Sequence, residues 1–409
     1  AWSWRDVRAM ALSMLGARGS TSSGVTRWPA FSDCRIERAA SGLPPDRELR
    51  SARPMKLVFI GKRHPQQRDL IERPYGRFHY LPVKLAALGH EVSVVLCSHN
   101  GSPSVSVEQL GVHWIGHDLR MLGLRGLLRK VNTDVRAFRP DWIVGISDAQ
   151  FGWLARRLAR GLGTRLAVDA YDNFEAYMSW NLPLHLLWRR SVRDADLVTA
   201  AGPQLAERLQ GHRLGGRPVQ VVPMAADPDF IPRDRAACRV QLGLPADAPL
   251  IGYTGSWARN RGTDVFLQAF RSIRRSRPDL RLVLSGRQLS GMPAEPGVLA
   301  MGYLDDRALP PLVAALDVAC VITADTRFGR YSYPAKLCEA MACGIPVAAT
   351  ATEPVRWMLG GRTAHLAEPG DGAGLSSCIS GLLDAPQADY GLLRDWAHSA
   401  RLFDAQLRA

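Results

Sequence analysis

The chain has 409 residues, of which 46% are hydrophobic and 22% charged, the mix of an ordinary globular protein with room for two to four units. That excludes a wholly disordered chain, a collagen-like fibre and a small disulfide-stapled module, and no apolar run approaches the ~18 residues of a membrane helix: the longest, 312–324, carries Asp317 in its middle. The net charge is +14, with +4 in residues 1–54, +8 in 55–227 and +2 in 228–409. Such an excess suits an anionic partner (a phosphorylated substrate, a lipid headgroup surface or a nucleic acid) or is simply arginine spread over solvated faces. Nucleic acid is the least favoured, because no finger, homeodomain arm or aromatic–basic signature accompanies the charge.

Residues 1–54 mix Ser, Gly, Pro and Arg without sustained periodicity, and Met10–Leu15 is too short and interrupted for a secretory signal. We expect a disordered extension, as a tail or upstream translation artefact with Met55 the functional start, or else a transit peptide. Short apolar runs then alternate with helical patterns. Strands are predicted at 56–60, 91–96, 142–145, 165–169, 197–200 and 220–222, with helices such as 80–88 and 151–162 between them. A second series has strands at 250–254, 281–285, 298–302, 318–323 and 346–350, and helices at 263–275 and 334–343. Residues 223–245, rich in Pro and Asp, read as an interdomain linker with a short helix. Strand–helix alternation means parallel βαβ units, so the predicted architecture is α/β, two doubly wound Rossmann-like domains facing across a cleft.

Seven cysteines stand at 34, 97, 238, 320, 338, 343 and 378, with no CxxC pair and no metal-ligand spacing. Several lie in apolar strands or helices, which points to free thiols in a reducing compartment.

The most specific segment runs from Tyr331 to Val347. Pro334 suits a first helical turn, Gly344 the residue just past a helix end, and Pro346 a stop. The helix start with Lys336 beside it is suited to an anion such as a diphosphate, and Glu339, one turn beyond Ala335, is placed to accept bonds from ribose hydroxyls.

Here Glu339-Ala-Met-Ala-Cys-Gly-Ile-Pro-Val347 resembles the donor-site signature of the large group 1 family of retaining GT-B glycosyltransferases, in a Pro-x-Lys-Leu-x-Glu variant. Leu85–Val92, Ala195–Val198, Val222–Asp227, Gly302–Leu304 and Ala315–Val318 resemble other family segments in the correct order, so the resemblance extends over nearly all of 55–409. It implies an acceptor-side domain at 55–227, a nucleotide-sugar domain at 228–390 and a helix at 391–409 crossing back to the first. It further implies transfer of a hexose from a UDP- or GDP-type sugar to a carbohydrate or lipid-linked glycan. The expected setting is cytoplasmic, peripheral at the inner face of a membrane that is itself an anionic partner. No cofactor and no metal are expected, because no DxD-like triplet stands in a suitable place and basic residues can neutralise the diphosphate.

The resemblance also names residues. Gly255, Ser256 and Arg261 take the positions of the family's diphosphate-cradling glycine, arginine and lysine, so Arg261 keeps the charge and Ser256 does not. Tyr331 stands where the family places the first of two glutamates, and Glu339 where it places the second. Tyr333, Pro334, Ala335, Lys336 and Leu337 complete the donor-binding set, with Lys336 compensating for Ser256. By position, Gly76 resembles the first-domain glycine that approaches the donor phosphate. Acceptor-side candidates are Arg73, Arg77, His79, Asp169 and Asp172, with an exposed loop or helix capping as their bland alternatives. Arg261, Lys336 and Asp172 are the catalytic candidates. Two other readings stay open: a catalytically silent nucleotide-sugar-binding or partner subunit, favoured by Ser256 and Tyr331, and a sugar-nucleotide epimerase on the same fold.

Overall fold

The computed structural model describes residues 53–409 apart from 178, 214, 259–260 and 287–292; the expected extension at 1–54 falls almost wholly outside them. The chain divides into two units, one running to Pro223 and taking in Trp396–Ala409, the other Met224–Asp395.

The first unit is built on strands β1 (Lys56–Lys62), β2 (Glu91–Ser98), β3 (Val105–Gln109), β4 (Val112–Asp118), β5 (Trp142–Gly145), β6 (Arg165–Ala170), β7 (Leu197–Ala200) and β8 (Gln220–Val221). Their order is β3-β4-β2-β1-β5-β6-β7-β8, parallel except for the β3–β4 hairpin. This hairpin was not predicted, since β3 is mostly exposed and lacks a hydrophobic face to announce it. Helices α1 (Gly76–Ala87), α2 (Leu119–Phe138), α3 (Ala149–Leu162), α4 (Phe174–Tyr177), α5 (Leu182–Asp194) and α6 (Pro203–Gln210) connect the strands. Helix α1 begins four residues earlier than its apolar pattern indicates, because Gly76 (φ +62°) turns the chain directly into it.

The second unit follows the same logic. Helix α7 (Arg235–Leu242) leads to β9 (Leu250–Thr254), α8 (Thr263–Ser276), β10 (Arg281–Ser285), β11 (Val298–Gly302), α9 (Leu309–Ala314) and β12 (Val318–Val321). Then come α10 (Ala335–Ala342), β13 (Val347–Thr350), α11 (Glu353–Met358), β14 (Leu366–Ala367) and α12 (Gly372–Asp384). The sheet order is β11-β10-β9-β12-β13-β14, all parallel. Alternate strand residues enter opposite core layers: Leu250 and Val283 pack with Leu316 and Leu337, whereas Ile251, Leu282 and Leu284 pack with Phe266 and Phe270. Burial on both faces is why these strands read as continuous apolar runs.

Helix α13 (Trp396–Arg408) belongs to the first unit and packs on α1. Asp404 meets His90 at 2.9 Å, and the Ser399 hydroxyl donates to the Pro223 carbonyl at 2.9 Å.

Candidate functional site

In each sheet the strand order reverses direction beside its first strand, between β1 and β5 and between β9 and β12. Ligands of doubly wound sheets bind beyond the carboxyl ends of the strands at such switch points. In the second unit, β9 ends at Thr254 and Gly255 follows with φ +136°, a conformation side chains rarely adopt. A Cβ on Gly255 would lie 2.6 Å from Cε and 3.1 Å from Nζ of Lys336, so the Lys336 side chain stands directly over this backbone. Lys336 is the second residue of α10, whose amino end carries the positive end of the helix dipole.

The backbone here is tightly stitched. The Gly255 N–H donates to the Ser285 carbonyl at 2.7 Å, and the Gly286 N–H to the Gly302 carbonyl at 2.9 Å. A Cβ on Gly286 would overlap the Gly255 carbonyl oxygen at 1.9 Å. Gly286 was missed in the sequence, although its place directly after β10 was the available signal.

Pro334 caps α10 in an extended conformation (φ −69°, ψ 117°), one residue outside the helix predicted to start there. Its carbonyl accepts the Leu337 N–H at 3.0 Å. Ala335, the half-buried Glu339 and Lys336 lie on the first turns of α10. Two other members of the expected donor-binding set turn out to pack. Leu337 is fully buried in the core, and Tyr333 is buried with its ring edge-on to Trp357 at 5.7 Å. Tyr331 closes the short turn Gly329–Tyr331 and is half-buried.

Ser256 is half-buried, and its carbonyl accepts the Tyr253 hydroxyl at 3.0 Å. The Arg261 side chain is exposed, and its N–H donates to the Ala258 carbonyl at 2.9 Å. Gly262 follows with φ +84° and borders a hollow of about 200 Å³ with Thr323, Asp325 and Thr350. Burial, with Glu339 adding to it, pushes the Cys338 thiol up to about 12, so it is no nucleophile at neutral pH.

The first unit corrects three expectations. Arg77 and Asp169, both read as acceptor-side lining, are 2% and 1% exposed and bond each other through two contacts at 2.8 and 2.7 Å. Arg77 also donates to the Val222 carbonyl at 2.8 Å, and Thr199 donates to Asp169 at 2.5 Å, so the pair ties α1 to β6, β7 and the end of β8. A buried, bidentate pair of this kind is a structural tie whose loss strands a charge. His79 is wholly buried and stacks on Trp114 at 4.9 Å; burial lowers its pKa to about 4. It too belongs to the core.

Gly76, by contrast, has nothing within 4 Å of where a Cβ would be, at the carboxyl side of β1. Arg73 is half-buried in the loop before it, its N–H donating to the Asp69 carbonyl at 2.8 Å. Asp172 is buried in the short connection between β6 and α4, and in α4 the pKa of Glu175 is lowered to about 2: burial opposes the charge, but His212, Arg189 and Arg208 outweigh it.

A family model described as "Glycosyl transferase 4-like domain" matches residues 77–226, and one described as "Glycosyl transferases group 1" matches 248–385; together they span more than two thirds of the chain. The D-inositol 3-phosphate glycosyltransferase of Stackebrandtia nassauensis is 32% identical over 197 residues, covering 43% of this chain and 42% of that protein. Its namesake from Mycobacterium avium is 29% identical over 265 residues, covering 60% of each. The chain thus spans roughly two to three fifths of these relatives' lengths. Among solved structures, sucrose-phosphate synthase from Thermosynechococcus elongatus superposes with a TM-score of 0.65 at 18% identity, covering 87% of this chain and 94% of that one. HepE from Anabaena in complex with UDP gives 0.63 at 18% identity, covering 86% and 95%. These likenesses show the GT-B fold.

Proposed function

As this chain belongs to the group 1 glycosyl transferases, we propose that it moves a hexose from a UDP- or GDP-type sugar to a carbohydrate or lipid-linked glycan acceptor, with retention at the anomeric carbon. The observation that carries the donor reading is Lys336 on the amino end of α10, standing over the permissive backbone of Gly255 at the switch point of the second sheet. An ammonium group, a helix dipole and a close-approach glycine together make a diphosphate seat.

In this reading the bond from the anomeric carbon to the diphosphate oxygen breaks, and a bond from that carbon to the acceptor hydroxyl oxygen forms on the same face. The acceptor proton passes to the departing phosphate oxygen. Lys336 and Arg261 stabilise the charge that develops on the diphosphate, a role whose removal typically costs ~10²–10³ in rate. Glu339 holds the ribose, and Asp172 and Arg73 face the acceptor. The cationic side chains take the place of a metal, so activity should be unchanged by a chelator such as EDTA. The protein would work in the cytoplasm at an anionic membrane surface, where a lipid-linked acceptor is presented.

Thermal unfolding of the protein against UDP, GDP, ADP, TDP and CDP tests the donor site. A nucleotide at 100 times its dissociation constant adds ~2.7 kcal/mol, several degrees in Tm. One diphosphate should stabilise the wild type and leave Glu339→Ala unmoved. Ser256 and Tyr331, which depart from the family pattern, favour a second reading, a silent nucleotide-sugar-binding subunit. Binding of a diphosphate without turnover of its sugar against any acceptor would support that reading and overturn the first.

A further inference from the structure

We propose that an arginine-lined groove on the first unit, between α2, α3 and α5, is a docking surface for an anionic lipid bilayer. The groove measures about 910 Å³, lies wholly within that unit, and has seven arginines and no carboxylate among its lining residues. Arg125 and Arg129 come from α2, Arg157 from α3 and Arg190 from α5, while Trp153 and Leu154 of α3 form part of an apolar floor. The three helices carry eleven basic residues against two acidic ones, Asp134 and Asp194. Both carboxylates are already engaged: His117 holds Asp134 at 2.6 Å, and Asp194 is shared by Arg156, Arg160 and Arg193. The surface therefore stays strongly cationic.

Exposed apolar side chains lie on, or next to, two of the helices that line it. Leu182 and Leu186 share one stripe of α5 with Arg190 at successive four-residue steps, and they are 66% and 55% exposed. Trp180, just before that helix, is 60% exposed, and Met121, in the first turn of α2, is 63% exposed. At Gly123 (φ +63°) α2 breaks from helical geometry, setting that first turn apart from the rest of the helix. Guanidinium forks engage lipid phosphates, while exposed Leu, Met and Trp side chains enter the headgroup–acyl boundary. A soluble polyanion would use the arginines but gain nothing from the exposed aliphatic tips, so the combination favours a bilayer. The inference deepens the proposed membrane setting and rests on that part of the reading; the donor assignment is not needed for it.

Flotation of the full chain with vesicles tests it. Binding is expected to phosphatidylglycerol-containing vesicles and not to pure phosphatidylcholine, falling steeply with salt. At about fivefold per basic contact, the variant Arg125→Gln/Arg129→Gln/Arg190→Gln should lower the vesicle partition coefficient on the order of 100-fold. A second variant, Leu182→Ser/Leu186→Ser, should also weaken binding and leave a remainder that is wholly abolished at high salt. Both variants should keep the unfolding midpoint and the nucleotide-induced shift of the wild type, which separates failure of the surface from failure of the donor site. Equal flotation of wild type and the triple variant overturns the proposal. So does wild-type binding to a soluble polyuronate with no binding to vesicles.

Discussion

Gly255 and Lys336 are 81 positions apart in the chain, and their contact makes a specific prediction about diphosphate binding. Removing the ammonium group in Lys336→Ala deletes a hydrogen bond to a charged partner, worth about 1.5–3 kcal/mol, so nucleotide affinity should drop roughly 10- to 100-fold. Gly255→Ala should weaken affinity by a different route: the new methyl group meets Cε at 2.6 Å and pushes the lysine away. Because both changes act through one side chain, their effects should be less than additive. Titration calorimetry of the two single variants and the double variant reads this directly, and strict additivity would separate the glycine from the lysine. Gly255 and Lys336 were each singled out through the resemblance, but their contact was not legible, because nothing local in residues 254–256 says which distant side chain will cover them. The same blindness misread Arg77 and Asp169. Each alone looks like a ligand-facing group after a strand or loop, and only the fold shows them bonded to each other across 92 positions.

At the scale of elements, the close packing of β5, α3 and α5 is set by two glycines. A Cβ on Gly145 would lie 2.7 Å from the Gly152 Cα, and a Cβ on Gly152 would lie 2.9 Å from the Trp188 ring. Gly145→Ala meets the backbone of α3 at Phe151 and Gly152 and should destabilise the first unit at the upper end of the ~1–3 kcal/mol typical of overpacking. Gly152→Ala meets a side chain and gains ~1 kcal/mol of helix propensity, so its net cost should be smaller. Urea midpoints of the two variants should fall in that order; the reverse order would mean that strand and helix can slide apart. Strands buried on both faces, such as 142–145 and 250–254, were legible as apolar runs with exact bounds. The β3–β4 hairpin was not, since β3 has no buried face and the turn rests on Leu110 and Gly111, both at positive φ, with only the glycine to signal it.

For the whole molecule, charge and titration are unevenly shared. The sequence located a basic excess in the first half, but it took three helices separated by strands and loops, 119–138, 149–162 and 182–194, to gather that excess into one groove. Histidine shows the same asymmetry. Burial lowers the pKa of His64, His79 and His99, all in the first unit, and takes His79 to about 4. Between pH 6.5 and about 4 the unfolded chain therefore binds a proton at residue 79 that the folded chain refuses. The stabilisation is complete above pH 6.5 and declines by about 1.4 kcal/mol per unit as pH falls towards 4, about 3 kcal/mol in all from His79 alone. Calorimetric scans between pH 7 and 4.5 should thus show the first unit's transition moving down much further than the second's. His79→Phe keeps a flat ring for Trp114, which stacks at 4.9 Å and 8°, and should remove most of this slope. An unchanged slope in that variant would assign the acid sensitivity to His64 and His99 instead.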